Sequence, residues 1–280
     1  MRVRIWGCRG SIAAPGASTK RYGGNTSCIE IQPTSGEIVI LDAGTGIREL
    51  GARLVDDGIR RIHLLLTHLH VDHLEGLGMF APIYAHGTEL HIWGPASPVA
   101  SLEERIATYF SPPLFPLTMA DIDARVRYHD ASESEWAIDG ARFSSHAILH
   151  PGPTVGYRIE ENGRVLAYLT DHEPALGADL EHDASEWISG FGIARGADVL
   201  IHDCQYTTAE YASRIGWVHS STEQVATFAA KADVGRLLLF HHDPMHVDEQ
   251  LEAMRDEVRD LWGVEASRCD LATEGAELEI

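Results

Sequence analysis

The stretch Ile62-His63-Leu64-Leu65-Leu66-Thr67-His68-Leu69-His70-Val71-Asp72-His73 joins an apolar run to three histidines and an aspartate. The apolar run has the length of a buried strand. Imidazole and carboxylate side chains are common ligands of divalent metals. The stretch therefore predicts a strand that delivers metal ligands where it ends.

The spacing of the polar residues predicts two neighbouring ions. Residues two apart on an extended segment project to the same face, so His68 and His70 would leave the strand side by side with converging imidazoles. Asp72 and His73 fall where the chain turns, and they can reach a second ion. Neutral imidazole with carboxylate suits zinc, with manganese and iron as other occupants.

Three later polar residues also stand at the ends of apolar runs, namely His150, Asp171 and His241. Such residues point into a common crevice rather than into the core. Asp171 has two oxygens and can bridge two cations. The first predicted ion takes His68, His70, His150 and Asp171, and the second takes Asp72, His73, Asp171 and His241.

Apolar runs alternate with glycine and proline along the whole chain, without internal repeats or an evident linker. The pattern predicts an α/β fold of two packed sheets with helices outside, in a single domain over residues 1–280. The predicted strands are 2–6, 27–32, 37–41, 62–67, 89–93, 142–148, 154–159, 165–170, 199–201 and 236–240. The predicted helices are 45–56, 98–108, 221–232 and 248–261, the third with a hydroxyl cap at Ser220-Ser221 and Glu223 behind it.

The pattern weakens within residues 79–128. There the segment Phe110-Ser-Pro-Pro-Leu-Phe-Pro116 is rich in proline and carries two aromatic side chains. Two interpretations stay open: a lid or substrate-facing wall, and a surface loop packed by its own aromatics.

Composition argues against a nucleic-acid-binding, a membrane-spanning and a secreted protein. The formal net charge is −20, with 22 basic against 42 acidic residues, and such a field repels polyanions. A small anionic substrate is still allowed, because bound cations reverse the local potential. No apolar stretch has the length of a membrane span and no secretory signal is evident, so we expect a cytoplasmic protein. The four cysteines form no CxxC pair and are expected to be reduced.

Several motifs together resemble the metallo-β-lactamase fold superfamily of hydrolases. They are Trp6-Gly-Cys-Arg-Gly-Ser11, Tyr22-Gly-Gly-Asn-Thr-Ser27, Leu41-Asp-Ala-Gly-Thr-Gly46, the His68 to His73 run, His150, Asp171 and His241. The resemblance implies a four-layer αβ/βα sandwich of two mixed β-sheets with metals at one edge. Within the superfamily the chain is similar to the phosphodiesterase branch, which includes the ribonuclease Z enzymes, the phosphoribosyl cyclic phosphate phosphodiesterases and bacterial cyclic-nucleotide phosphodiesterase-like proteins. Homodimers are common in this branch, so the resemblance also implies a homodimer.

Two further segments support that branch. Val199-Leu-Ile-His-Asp203-Cys-Gln-Tyr206 resembles the His-Glu-Ala-Thr segment of the ribonuclease Z group, with Asp203 in place of the longer Glu. His219-Ser220-Ser221 resembles the His-Ser-Thr loop of that group. In the group these residues act together beside the scissile phosphate, and the resemblance implies the same pairing for Asp203 and His219.

The predicted function is a binuclear-metal phosphodiesterase for a small nucleotide or sugar phosphodiester, a cyclic one included. Two cations about 3.5 to 4 Å apart would lower the pKa of a shared water from 15.7 to near 7, and the hydroxide would attack in line. Asp72, Asp203 and His219 are the candidate catalytic residues. The alternatives are a lactonase, thioesterase or β-lactamase acting on an acyl bond, a tRNA 3′-processing endonuclease, and a binding module without catalysis.

Other polar residues are expected to pack or to orient rather than to bind metal. His172, His202 and His242 adjoin proposed functional residues but alternate to the opposite face of an extended backbone. Asp42 is expected to order a turn or the backbone of a metal ligand.

Overall fold

Two seven-stranded β-sheets face each other in the computed structural model, which describes residues 1–280. The strands are β1 (Arg2–Gly7), β2 (Cys28–Gln32), β3 (Ile38–Leu41), β4 (Arg61–Leu65), β5 (Glu89–Gly94), β6 (Arg125–Asp130), β7 (Ser134–Ile138), β8 (Ala141–Ala147), β9 (Val155–Glu161), β10 (Arg164–Leu169), β11 (Val199–Asp203), β12 (Arg236–Phe240), β13 (Cys269–Leu271) and β14 (Glu277–Glu279). The helices are α1 (Ile47–Asp56), α2 (Leu102–Tyr109), α3 (Phe191–Ala194), α4 (Thr208–Tyr211), α5 (Thr222–Lys231) and α6 (Asp248–Trp262).

The two sheets have matching topology. Their strand orders are β14-β1-β2-β3-β4-β5-β6 and β13-β12-β11-β10-β9-β8-β7. In the first sheet the pairs from β14 to β3 are antiparallel and those from β3 to β6 are parallel. In the second sheet the pairs from β10 to β13 are parallel and those from β7 to β10 are antiparallel. Each sheet is therefore mixed, with its parallel strands on one side.

Alternating apolar side chains build three cores and hence four layers. On β3, Val39 and Leu41 face the second sheet, whereas Ile38 and Ile40 pack against α1 and α2 on the outside. On the other outer face, α3, α5 and α6 pack against the second sheet. Burying an apolar face on both sides of each sheet is the main stabilising contribution of such a layered fold. The arrangement confirms the predicted sandwich.

The parallel strands bring polar residues to one edge. Thr67 and His68 follow β4, Asp171 lies two residues beyond β10, and His241 directly follows β12. Carboxyl ends of neighbouring parallel strands meet at one side of a sheet, which is where ligand sites form in such folds. The edge therefore collects side chains from both halves of the chain.

The structure corrects several predicted elements. Four strands were not predicted: β6, β7, β13 and β14. Helix α2 begins at Leu102 rather than at residue 98, because Ser101 caps it by accepting a hydrogen bond from the Glu104 N–H. Helix α5 is capped by Ser221, and its capping box is completed by Gln224 rather than by Glu223.

Within 79–128, the aromatic side chains pack onto the first outer layer. Phe110 is buried among the side chains of α1 and α2, and its ring centroid lies 4.5 Å from that of Phe115. These contacts agree with a loop packed by its own aromatics, while a lid movement stays a prediction. The four cysteines are free and buried, and no helix combines the length and the apolarity that a membrane crossing requires.

Candidate metal centre

The first cluster of ligand atoms joins both halves of the chain. His68, His70, His150 and Asp171 each offer one atom, and these atoms lie within 4.8 Å of one another. Asp171 Oδ1 lies 3.8 Å from Nε2 of His68 and 3.8 Å from Nε2 of His150. Three imidazoles and one carboxylate oxygen at these distances form a four-ligand set of the kind that divalent metals prefer.

A second cluster shares the same aspartate. Asp72, His73, Asp171 and His241 meet within the same limit. Asp171 Oδ2 lies 3.0 Å from Nε2 of His73 and 3.2 Å from Nε2 of His241, and Asp72 Oδ2 lies 3.2 Å from each of these nitrogens. The two oxygens of Asp171 thus face different clusters. All seven predicted ligands lie in the two clusters.

Buried nitrogens without hydrogen-bond partners test whether these residues fit metal ions. Nε2 of His68 is buried and lacks a hydrogen-bond partner in the protein, and Nε2 of His73 is buried close to two carboxylates without a well-directed hydrogen bond to either. A buried polar atom without a partner is costly, and metal coordination would satisfy it. Both atoms face Asp171, one in each cluster, so the donor set fits two cations.

The electrostatics favour the ligating forms of most side chains in the clusters, with His73 as the exception. Burial opposes its charged form, but Asp72 and Asp171 raise the pKa of His73 well above its usual range, so metal binding there would release a proton. Burial is the main cause that lowers the pKa of His68, which keeps the imidazole neutral. Burial opposes ionisation of Asp72 and Asp171, but the surrounding imidazoles hold the pKa of both carboxyls well below its usual range. Neutral imidazole and ionised carboxylate are the forms that bind metals.

Asp42 lies beneath the clusters and orients His73 and the backbone that leads to His68. Its buried carboxylate accepts hydrogen bonds from the Thr67 N–H at 2.8 Å and from the Tyr168 hydroxyl at 2.9 Å. Its Oδ2 also lies 2.9 Å from Nδ1 of His73, which leaves Nε2 of that ring for the second cluster. Asp42 itself belongs to neither cluster, in agreement with its predicted ordering role. Such outer partners fix the tautomer and the direction of a metal-binding imidazole.

Three residues of the site adopt a left-handed backbone at strand ends. The φ angles are 59° at Asp42, 52° at Asp171 and 58° at His241. Such angles are uncommon for residues other than glycine, and they concentrate at functional sites. Each of these residues leaves its strand through a sharp turn, which directs its side chain towards the shared edge.

An aspartate and a histidine pair beside the clusters. Nδ1 of His219 donates to Oδ2 of Asp203 over 2.6 Å, and the rings of His219 and His241 stack with their centroids 5.0 Å apart. Burial opposes the charged imidazole, but Asp203 raises the pKa of His219 to about 9. The Ser220 N–H donates to the other oxygen of Asp203 at 2.9 Å. The shorter Asp side chain thus reaches the imidazole.

Sequence reasoning missed some residues that support the site. The Ser11 N–H donates to Oδ2 of Asp72 at 2.8 Å, and a Cβ at Gly10 would lie 2.4 Å from the ring of His241. Gln205 donates to the Ser11 hydroxyl at 3.3 Å. Gly10 and Ser11 belong to the Trp6 to Ser11 motif, which carried the resemblance without a role for any of its residues.

The neighbouring histidines lie outside the two clusters, as predicted. Nδ1 of His172 lies 2.9 Å from Nε2 of His202 in the interior, and Nε2 of His242 lies 3.0 Å from the Ala272 carbonyl oxygen. Their rings form buried polar contacts next to the site.

Comparison with known proteins identifies the family to which the chain belongs. The family model described as the beta-lactamase superfamily domain matches residues 38–242, which include all seven clustered residues. A protein named ribonuclease Z from Mycolicibacterium gilvum (strain PYR-GCK) is 30% identical over 240 residues, which cover 75% of this chain and 75% of that protein.

Solved structures share the architecture. A structure described as a new diphosphatase from the PhnP family has a TM-score of 0.71 at 19% identity, covering 100% of this chain and 97% of that chain. The Zn²⁺-bound PqqB from Methylobacterium extorquens has a TM-score of 0.68 at 19% identity, covering 100% of both chains. At such identities the likeness establishes the fold alone. The two clusters, which lie within the residues matched by the family model, indicate divalent-metal binding.

Proposed function

The chain belongs to the β-lactamase superfamily and is a metal-dependent hydrolase, and from this premise we propose that it acts on phosphodiester bonds. The proposed substrate is a small nucleotide or sugar phosphodiester, cyclic ones included. The observation that carries the proposal is the Asp203–His219 pair beside the two ligand clusters. An imidazole held next to a metal centre can serve a phosphoryl group or its leaving oxygen. The resemblance of this pair to that of the ribonuclease Z group supports phosphoryl over acyl chemistry.

Two divalent ions are proposed as cofactors. His68, His70 and His150 would hold one, Asp72, His73 and His241 the other, and Asp171 both. When bound, such ions supply Lewis acidity and lower the pKa of water from 15.7 to about 7. Zinc is the first candidate because the set is imidazole and carboxylate, with manganese and iron as alternatives.

The proposed role of His219 follows from its tautomer. Asp203 accepts from Nδ1, so Nε2 is left for the substrate. The side chain of His219 is 12% exposed, whereas that of Asp203 is fully buried. His219 would therefore donate to a phosphoryl oxygen or protonate the leaving alkoxide, a contribution of about 10²- to 10⁴-fold. Asp203 would hold the ring and favour its protonated form.

Net charge favours a small substrate over tRNA. The formal net charge of −20 opposes the electrostatic attraction on which non-specific nucleic-acid binding depends. The relative named ribonuclease Z supports tRNA 3′ processing as a second candidate. Salt-sensitive binding of tRNA by the purified protein would favour that candidate.

The central test combines a substrate panel with one substitution. We expect turnover of bis(p-nitrophenyl) phosphate and of cyclic nucleotides to exceed that of lactones and thiolesters. His219→Ala should keep the metal content of the protein but lower phosphodiester turnover about 100-fold or more. Preferred acyl turnover would overturn the proposed substrate class, and full phosphodiesterase turnover by His219→Ala would overturn the proposed role of the imidazole.

A further inference from the structure

Glu173 is a fully buried carboxylate two residues beyond Asp171. It accepts hydrogen bonds from the Gly216 N–H at 3.0 Å, from the Val218 N–H at 2.8 Å and from the Tyr211 hydroxyl. A buried carboxylate is unfavourable unless its oxygens are satisfied. All three of these donors belong to one stretch of chain, residues 211–218, that leads directly to His219.

This stretch needs an anchor. Val218 has a φ of 64°, a conformation that a β-branched residue rarely adopts. Ile215 and Trp217 are each 63% exposed, so their side chains contribute little packing against the body of the protein. Arg214 holds the middle of the stretch by pairing with Asp243 at 3.5 Å. The two N–H groups that converge on Glu173 hold the part next to His219.

His219 therefore lies between two anchored backbone groups. On one side the Val218 N–H is held by Glu173, and on the other the Ser220 N–H is held by Asp203. The hydroxyl of Ser220 also donates to the His172 carbonyl oxygen at 2.6 Å. We propose that Glu173 is a positioning residue, which fixes the loop so that the imidazole of His219 meets both Asp203 and the substrate.

The placement of Glu173 links the two parts of the site. Asp171 faces both ligand clusters, and Glu173 holds the His219 loop from the same short segment beyond β10. One short segment therefore supplies the aspartate shared by the two clusters and the carboxylate that holds the loop of His219. The inference rests on the proposed role of His219 and adds a residue that acts through it.

The kinetic test uses Glu173→Gln. The amide keeps the shape of the side chain but replaces one accepting oxygen by an NH₂ group, which cannot accept from a backbone N–H. We expect kcat on a phosphodiester to fall about 10-fold or more, with KM and metal content unchanged. Ser213→Ala, in the same loop but without contact to Glu173, is the matched control and should keep full kcat.

A double substitution separates positioning from general damage. In the His219→Ala background, Glu173→Gln should cause no further loss of kcat, because the group that it positions is gone. Equal losses in both backgrounds would overturn the inference.

Histidine-selective NMR measures the hydrogen bond of the His219 imidazole independently of catalytic activity. Glu173→Gln should shift or broaden the low-field Nδ1–H signal of the His219–Asp203 hydrogen bond, and an unchanged signal would overturn the inference. If His219→Ala keeps full turnover, the proposed function of His219 fails, while this NMR measurement still decides the role of Glu173.

Discussion

Asp171 is the residue on which both ligand clusters depend, because each of its oxygens faces a different cluster. Asp171→Asn leaves one neutral carbonyl oxygen and an amide nitrogen that does not bind metal. We expect the metal content to fall from about two ions per chain to about one or fewer, with loss of phosphodiesterase turnover.

Elemental analysis of protein purified without chelator measures this effect. Asp256→Asn, at a side chain that is 59% exposed and paired with Arg255, should keep its metal and is the control. An unaltered metal content in Asp171→Asn would contradict the bridging role.

Asp42 is the residue whose loss should combine a folding defect with weaker metal binding. Asp42→Ala removes the acceptor of Thr67, Tyr168 and His73 in the interior, and each unsatisfied group costs about 1–3 kcal/mol. Metal affinity should fall about 10- to 100-fold, since the ring of His73 loses its orientation.

Urea unfolding and metal titration against a competing chelator measure the two effects of Asp42→Ala. Tyr168→Phe removes only one of the partners and should cost about 1 kcal/mol. If Asp42→Ala lowered the free energy of unfolding by only about 1 kcal/mol, the role of Asp42 as acceptor for all three groups would be contradicted.

The loop after β1 leaves no room for added volume next to His241. A methyl group at Gly10 would meet the ring of His241 at 2.4 Å, so Gly10→Ala should displace that ligand and lower turnover about 10-fold or more while the fold persists. Gly192 in α3 has nothing within 4 Å of its ideal Cβ, and Gly192→Ala is the matched control. Circular dichroism and turnover measured together decide the outcome, and full activity of Gly10→Ala would contradict it.

The edges of the sheets show where prediction from sequence ends. The ten predicted strands are the interior ones, and the four that were missed, β6, β7, β13 and β14, are the outermost strands of the two sheets. An interior strand is covered on both faces and must be apolar, whereas an edge strand tolerates charge, which also discourages aggregation. The sequence Arg-Val-Arg-Tyr-His-Asp of β6 is an example.

Only some residues of the site could be predicted from the sequence pattern. His68, Asp171 and His241 were predictable because each stands where an apolar run ends. Asp203 and His219 required a family resemblance, since sequence separation gives no distance between them. Glu173 lacked a signal altogether: its partners are two backbone N–H groups and a hydroxyl, which a side-chain pattern does not record.

At the scale of the whole molecule, the space between the sheets contains a stack of aromatic rings. His63 lies over His91 with centroids 4.6 Å apart, and Trp93 lies 4.1 Å from His129 and 4.6 Å from Trp136. Burial is the main cause that lowers the pKa of His63 to about 4, with help from His91. The folded state therefore disfavours the proton that an unfolded histidine binds below about pH 6.5.

The lowered pKa of His63 means that the free energy of unfolding decreases as the pH falls. Between about pH 6.5 and pH 4 the unfolded chain binds more protons at His63, so the stabilisation is complete above pH 6.5 and is lost as pH falls towards 4. His63 contributes at most about 3 kcal/mol to this change in the free energy of unfolding. Urea unfolding of metal-free protein should show a shallower pH slope in His63→Phe than in wild type, with the exposed His86→Gln as control. Equal slopes would contradict the prediction.

The order of the chain adds a consequence for biosynthesis. Residues 2–130 form all of the first sheet except its last edge strand, and residues 134–271 form the second. The N-terminal half supplies His68, His70, Asp72 and His73, while the remaining ligands come from the C-terminal half. During translation, the first ligand set can be complete only after Asp171 has emerged and the second only after His241 has emerged, and each needs the two halves to dock. Hydrolysis would thus begin only after folding, and a bound metal ion would hold together two sheets that are synthesised largely one after the other.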